Sequence, residues 1–572
     1  MTDRPQPRFA LASQQLGALP IVDVFLRRAG VERVLARHLR VGDTRVSLPA
    51  ATVIGVLISN LCVAREPLYG LADWAARHDP GLLGLQEGEA GLLNDDRVGR
   101  VLDELFHADR ATLLTELTLG VISAFSVDCS QLHNDSTSIT LHGAYDAADG
   151  RPKAGKTTVA AALGHSKDHR PDLKQFVLTL TISADGALPI AHRLLDGNTN
   201  DDQTHIQTWD GLVALLGRAD FLYVADCKLA TRPQMSHIDA HDGRFVSVLP
   251  RSRGEDAQIR AWAQTHAFDY TEACRRPGKR NGDPDVVYET APAPIPSSEG
   301  HRIIWVRSSQ KHAQDAEARR ARIERGMLAL EAVQAKLAGP RCRLKTLPAV
   351  HDAADAALAA AGAQRWITHT ITQATEEAFR QEKRGRPGND TRYRKTEKTV
   401  FTLTFTINAE NVAYDAATDG CFPLISNDQA LTDPELLAAY RYQPNLEKRH
   451  HQLKTVLGAA PIELKSASRI EALACCQFIA LLTQCPIERE LRAAMTLHGI
   501  PELPLYHEDR TSKAPTAARL FDQFTDTARH HLTSHDGQTV QIFEPQLNDL
   551  QHQLLNLLGI PQAAYHSPAS AT

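Results

Sequence analysis

The chain has 572 residues, of which 43% are hydrophobic and 23% charged, with a formal net charge of −5. That length admits several domains or one core with large insertions, and the composition suits ordinary globular packing. Nine cysteines are scattered without a C-x-x-C pair, which argues against a zinc ribbon or a disulfide framework and favours a reducing, cytoplasmic setting. No apolar stretch is expected to cross a bilayer, and the segment Met1–Pro7 lacks the apolar run of a secretory signal, so no membrane partner is expected.

Residues 1–127 are predicted to be helical. Val22, Phe25, Leu26, Val31 and Val34 recur at helical spacing, and Leu48-Pro49-Ala50-Ala51 opens another apolar helix. A β-prone run follows from Leu132 through Ile139 to Leu141. Gln175–Ile182 reads as a strand, Ala184-Asp185-Gly186 as a turn, and Leu188–Leu194 as the returning strand of a hairpin. Asn200-Asp201-Asp202 is expected to cap a helix that ends near Leu216. Phe221–Ala225 is apolar enough to be buried on both faces, and Phe245–Leu249 follows a further helical segment. This order of elements fits a mixed α/β sheet of the ribonuclease-H type, in which acidic residues on the first and fourth strands come together.

Regular order is expected to break after Pro250. Loop signals stand at Arg275-Arg276-Pro277-Gly278 and Ala291-Pro292-Ala293-Pro294, with short strands at Val286–Glu289 and Arg302–Val306. A charged helix spans Lys311 to Leu337, more helix is expected to run to Glu382, and a strand covers Thr399–Ile407. Residues 251–420 thus read as one α+β insertion that splits the core into 128–250 and 421–500. The second part holds a strand at Phe422–Ser426, a helix start at Thr432-Asp433-Pro434, a helix carrying Glu447, and a very apolar helix at Ile470–Leu482. Residues 501–572 form a mixed C-terminal region without clear chemistry.

Three acids stand where a metal-dependent phosphoryl-transfer site needs them. Asp135 interrupts the polar strand segment Asn134-Asp135-Ser136-Thr137, and Asp226 ends a buried strand, where open sheets form their sites. Glu447 lies on a helix with His451 and Lys454 at i+4 and i+7, so an α-helix puts the three on one face. Two divalent cations serve phosphodiester chemistry well, and Mg²⁺ needs few protein carboxylates because it keeps several waters. The polar run His165–Lys174 precedes a strand, and its Lys167, Arg170 and Lys174 are candidates to touch phosphates. Taken singly, each of these residues also reads as a cap, a turn or a solvated loop.

The chain resembles the DDE-type transposases of bacterial insertion sequences, in the cut-and-paste branch with a large insertion before the final Glu. The resemblance rests on Leu132–Thr137, Gly164–Gln175, Val224-Ala225-Asp226, Tyr440–Lys454 and Leu464–Leu473. The family's signature is Y-x2-R-x3-E-x6-K. Tyr440, Glu447 and Lys454 match it, whereas Gln443 stands where Arg is expected. The resemblance implies a ribonuclease-H-like core binding Mg²⁺, or Mn²⁺ as a substitute, through Asp135, Asp226 and Glu447. It implies cleavage at transposon ends and joining of the freed 3′-hydroxyl to target DNA. Tyr440, Gln443, His451 and Lys454 would lie beside the DNA. It further implies a homodimer acting on paired ends, cytoplasmic and nucleoid-associated when bound, with the N-terminal helices reading end sequence or pairing subunits.

Other signals compete. Gly150–Thr157 satisfies the G-x-x-x-x-G-K-T pattern of a phosphate-binding loop, the basis for an ATPase alternative. The residues before it are too polar for a central strand, and Pro152 removes a backbone N–H that a phosphate nest would use. A DNA-binding protein with a decayed catalytic core is a further alternative, to which Gln443 leaves room. Lys383-Arg384-Gly385-Arg386-Pro387 resembles an AT-hook core, so Arg384 and Arg386 are candidate DNA contacts, with a basic surface loop as the plainer reading. Local basic segments of this kind answer the objection that DNA-binding proteins are seldom acidic overall.

Overall fold

The computed structural model describes residues 9–39, 48–153, 155–200, 204–278, 280, 282–339, 342–458, 464–506, 508, 510–536 and 538–567. The segment Met1–Pro7 and the expected cap residues Asp201 and Asp202 lie outside them. The chain forms two compact units, one of residues 1–247 with 438–572 and one of residues 248–437. The inserted unit is thus wider at both ends than the 251–420 expected from the loop signals.

The first unit begins with a strand, β1 (Phe9–Gln15), so its N-terminal region is not all helical. The alternation Phe9-Ala10-Leu11-Ala12 in β1 has a period of two, a signal hidden by the apolar helical pattern that follows. Six helices come next: α1 (Leu19–Arg28), α2 (Val31–His38), α3 (Ala50–Val63), α4 (Leu71–Ala76), α5 (Asp95–His107) and α6 (Arg110–Phe125). Their starts are chemical. Asn94 accepts a hydrogen bond from the Arg97 N–H, and Asp109 from the Thr112 N–H, satisfying donors that the first turn leaves free.

The sheet of this unit is built from β2 (Gln131–Thr140), β3 (Gln175–Ser183) and β4 (Pro189–Leu195). After α7 (His205–Leu216), β5 (Leu222–Ala225), α8 (Arg232–Ala240) and β6 (Arg244–Val248) complete it. Its order is β4-β3-β2-β5-β6. β2, β3 and β4 are antiparallel neighbours, while β2, β5 and β6 run parallel. All residues of β3 and β5 are buried, as expected of strands covered on both faces.

The second unit holds α9 (Gly254–Trp262), so regular structure persists past Pro250. It continues with β7 (Thr271–Arg276), β8 (Val286–Pro292), β9 (Arg302–Ser308), α10 (Ser309–Ala338) and α11 (Leu347–Ala361). The chain then departs from the helix expected to reach Glu382. α11 stops at Gly362, which takes the left-handed conformation that glycine tolerates, and β10 (Ile367–Gln381) pairs with β11 (Tyr393–Ile407). Thr368, Thr370, Ile371, Thr372 and Thr375 supply the β-branched residues that favour the strand. After α12 (Ala409–Ala416), β12 (Cys421–Ser426) joins an antiparallel sheet of order β12-β9-β8-β7. α10, α11 and the base of the β10–β11 hairpin share a core around Leu330, Leu358, Ile367 and Leu403.

The chain returns to the first unit through α13 (Asp433–Tyr440). There follow α14 (Pro444–His451), a π-helical turn at Gln452–Val456, α15 (Ala467–Leu497), α16 (Ala517–Asp522), β13 (Ala528–Ser534), β14 (Thr539–Phe543) and α17 (Asp549–Leu557). β13 pairs with both β1 and β14, which ties the two ends of the described chain together. By length and composition α15 is apolar enough to cross a bilayer, contrary to expectation, but 83% of its most apolar window is buried inside the protein. It packs on α1, α3, α5, α6 and β4. Fully buried side chains such as Phe478, Ile479 and Leu481 each contribute about 1.5–3 kcal/mol of transfer free energy to that core.

Candidate active site

β2 is polar yet central, and its polarity is satisfied by neighbours. The Asn134 side chain accepts a hydrogen bond from Thr181 of β3 at 2.9 Å. Ser138 Oγ accepts the Lys167 N–H, and Thr140 donates to Asp168 at 2.8 Å. Buried polar groups persist only with such partners. Alternation along the strand puts His133 and Asp135 on the face opposite Asn134.

β2 and β5 are parallel, with Asn134 opposite Ala225 as their last paired residues. One step further along, Asp135 and Asp226 stand side by side on strands about 4.8 Å apart. Burial, and then the charge of Asp135, hold the Asp226 carboxyl above the ordinary aspartate range. Its Oδ1 accepts the Lys228 N–H at 3.0 Å. Lys167 meets the pair: its Nζ lies 3.2 Å from Asp135 Oδ1 and donates to the Ser136 carbonyl at 2.6 Å and hydroxyl at 2.9 Å.

The segment after α13 brings the third acid to the same unit. The Gln443 amide oxygen accepts from His133 Nδ1 at 2.8 Å, and its Nε2 donates to the Asn134 carbonyl at 3.2 Å. Gln443, expected beside DNA, is thus occupied in fastening the start of α14 to β2. Arg449 clamps the other end. Buried, it donates to the Gly186 and Ala187 carbonyls at 3.0 Å each and pairs with Glu488 of α15 at 2.8 Å. On the helix held this way Glu447 is exposed to solvent. The Tyr440 hydroxyl feels the charge of all three acids. Its pKa is pushed up to about 12, first by burial and then by the negative charges of Asp226, Cys227, Asp135 and Glu447. Asp135, Asp226 and Glu447 therefore all lie within electrostatic reach of one half-buried side chain.

The π-helical turn changes the geometry expected for Lys454. A π turn advances less angle per residue than an α turn, so Lys454 does not keep the i+7 alignment with Glu447. Its Nζ binds both oxygens of Asp168, at 2.8 and 3.0 Å. Burial works against the charge on Asp168, but the hydrogen bonds from Lys454 and Thr140 hold its carboxyl below the usual range. His451 is exposed and, among the described residues, hydrogen-bonds only Thr455 Oγ1 at 3.4 Å, whereas His450 is buried. Burial, and then Lys167 and Lys454, push the His450 ring down to about 3, and its Nε2 has no hydrogen-bond partner among the described residues.

The other expected phosphate contacts are partly engaged. Arg170 forms a two-pronged pair with Asp172 at 2.9 and 2.8 Å, and Lys174 binds the Ala144 carbonyl and Asp146. Arg384 and Arg386 fall in the exposed turn between β10 and β11 of the second unit. Asp168, Arg449 and His133 were not anticipated as parts of the site. Asp168 stood in the polar run 164–175 but was overshadowed by the cations around it. The anchors Arg449 and His133 carry no sequence signal apart from their nearness to Glu447 and Asp135.

The phosphate-loop pattern has a structural use here. Lys156 donates to the carbonyls of His107 and Ala108 at 2.8 and 2.7 Å, capping the C-terminal end of α5. Lys153 binds Asp103 and Ser468. Among the described residues no helix follows the loop before β3, so the helix N-terminus on which a phosphate would rest is missing.

Among the described residues no three His, Cys, Asp or Glu side chains form a ready-made metal cage. The donor chemistry nevertheless suits a hard cation. Two carboxylates stand on adjacent strands, one of them resists ionising beside the other, and a lysine ammonium sits where positive charge is wanted.

Residues 11–119 match a family model described as a domain of unknown function, DUF4277. No curated protein matches the chain. Among solved structures the chain is similar to a piggyBac transposase in a synaptic complex with hairpin DNA, at 8% identity and a TM-score of 0.27. That similarity covers 52% of this chain and 63% of the other, so the chain spans less than two thirds of that protein.

Proposed function

We propose that the first unit is a ribonuclease-H-like core of a DDE-type transposase, cleaving DNA at the ends of a mobile element and joining the 3′-hydroxyls to target DNA. The observation that carries this reading is the placement of Asp135 and Asp226 side by side on adjacent parallel strands, with Glu447 near the same Tyr440 hydroxyl. The strand order β4-β3-β2-β5-β6, with three antiparallel and then parallel neighbours, supports it, as does the match to Tyr440, Glu447 and Lys454 of the signature.

Asp135, Asp226 and Glu447 would hold Mg²⁺, which supplies Lewis-acid assistance to the attacking and leaving oxygens of a phosphodiester. The chain's own residues do the rest. Gln443 and Arg449 fix α14 against β2 and α15, so Glu447 is presented from a rigid element. Lys167 offsets the charge of the acid pair and would turn to a phosphate oxygen once other positive charge arrives. The Asp168–Lys454 pair orients a second ammonium near the same edge. Two copies of the chain acting on paired ends would complete the assembly.

The test is cleavage of DNA carrying the element's ends, with Mg²⁺, by the wild type and by Asp135→Asn. Loss of nicking with DNA binding retained is expected. Unchanged nicking in the variant would remove Asp135 from the reaction.

A further inference from the structure

The β10–β11 hairpin leaves the second unit as an uncovered ribbon. Its base is packed on α10 and α11 through Ile367 and Leu403, but Thr372–Arg380 on one strand and Arg392–Thr399 on the other are exposed on both faces. Nine residues at strand spacing make a projection about 30 Å long. An isolated two-stranded ribbon is only marginally stable in water, so a bare one of this length is built to be covered.

Its charge says by what. Between Arg380 and Lys395 there are seven basic and two acidic residues, in a chain of net charge −5. Arg380 and Arg394 are direct cross-strand partners, so they share one face of the ribbon. Like charges directly opposite destabilise a strand pair. No side chain among the described residues pairs with either arginine, nor with Arg392 or with Arg384 and Arg386 in the connecting turn. Lys395, by contrast, is held by Glu377 and Glu397. The other face carries Phe379 and Tyr393, 63% and 51% exposed and one cross-strand step apart.

We infer that the β10–β11 ribbon is an arm that enters the major groove of duplex DNA, its Arg380/Arg394 face set against phosphates and base edges. The major groove admits a two-stranded ribbon, and the opposed arginines gain the anionic partner that the protein itself withholds. This goes beyond a basic loop lying in a minor groove, because Arg380 and Arg394 are set opposite each other by the pairing of two strands. The inference rests on the reading of the protein as one that acts on DNA, but not on its cleavage chemistry.

The experiment measures binding of the full chain to a 30-base-pair duplex of arbitrary sequence by fluorescence anisotropy over a range of salt. Replacing both arginines (Arg380→Gln with Arg394→Gln) is expected to weaken binding roughly 10- to 100-fold at low salt and to lower the salt slope by about 2. The charge-keeping variant Arg394→Lys should stay close to wild type, and all variants should melt like wild type because both arginines lie beyond the packed base of the ribbon. Methylation of guanine N7, which lines the major groove, should interfere with wild-type binding. Unchanged affinity and slope in the double variant would overturn the inference. So would interference confined to adenine N3 in the minor groove, tighter binding to duplex RNA, or a change in oligomeric state with duplex affinity intact. A protein that nicks DNA but ignores the arm variants loses this inference and keeps the proposed function. One that binds through the arm yet never nicks does the reverse.

Discussion

Two places in this protein set like charges on neighbouring strands, and they are resolved differently. On β2 and β5, Asp135 and Asp226 are partly buried and receive relief from inside, through Lys167. On β10 and β11, Arg380 and Arg394 are exposed and receive none. A buried clash must be answered within the fold or the fold does not form, whereas a solvated one is tolerated and can wait for a partner. On the proposed function the first is a seat for a small cation that competes with one lysine, and on the further inference the second is a surface for a polyanion. Arg449 and Glu488 calibrate the contrast. They are a buried pair of opposite charges, 7% and 2% exposed, and Arg492 reaches the same carboxylate at 3.3 Å.

Breaking that buried pair should have the largest effect. Glu488→Ala leaves the Arg449 charge buried and should cost about 3–5 kcal/mol in denaturant unfolding. It should also loosen α14 and lower any activity that needs Glu447. A loss below 1 kcal/mol would show that water reaches Arg449 and that the clamp is weaker than its geometry implies.

Removing one acid of the β2–β5 pair should cost slightly less, but in rate rather than stability. Asp226→Asn is expected to slow DNA cleavage by at least about 10²–10³-fold, the worth of several kcal/mol of charge stabilisation. The variant should bind the arbitrary duplex as wild type does, because the arm is untouched. Loss of duplex binding together with cleavage would merge the two regions that the contrast separates.

Acid sensitivity needs a control outside the site. His192 stacks on Phe478 at 4.3 Å, its Nδ1 buried and without a hydrogen-bond partner among the described residues. Burial, and then Arg110, push its pKa down from 6.5 to about 4. The native state therefore refuses a proton that the unfolded chain accepts. Stability from this residue is complete above 6.5 and is lost as pH falls toward about 4. His192→Leu should flatten the fall in stability across that window by roughly 1–3 kcal/mol. An unchanged pH profile would assign the acid lability to other groups.

The smallest effect is the sharpest for the contrast. Lys167→Met removes the internal relief, so the rise in melting temperature on adding Mg²⁺ should exceed that of wild type by about 1–3 °C. An equal rise in both proteins would mean that the lysine and the metal do not compete.

Much of the first unit is legible because β3, β4 and β5 are apolar and punctuated by turn residues. The strand expected at Gln175–Ile182 and its return at Leu188–Leu194 appear within one residue of those bounds, since turn residues and β-branched runs act locally. Asp135 and Asp226 could be picked out because each is an acid breaking a strand pattern, and parallel pairing then puts them together. What was not legible depended on distant partners. β1 pairs with β13, more than 500 residues along the chain, and no local pattern reports that. The first strand of the long hairpin reads as helix because Ala374, Glu376, Glu377, Ala378 and Arg380 favour helices, and only pairing with β11, whose Thr399–Ile407 part reads as a strand, overrides them. Lys454 was aligned with Glu447 on the assumption of an unbroken α-helix, which the π turn breaks. The bilayer-length helix escaped notice because scattered polar residues such as Gln477, Thr483 and Gln484 interrupt it, each of which finds a hydrogen bond inside the core.

The most direct measurement is Mn²⁺ binding, followed by the electron paramagnetic signal of the free ion, in wild type, Asp135→Asn and Asp226→Asn. It needs no knowledge of the DNA ends. Saturable binding in the wild type that is weakened at least about tenfold by either substitution is the predicted result. Equal binding in all three proteins would contradict a cation seat on β2 and β5.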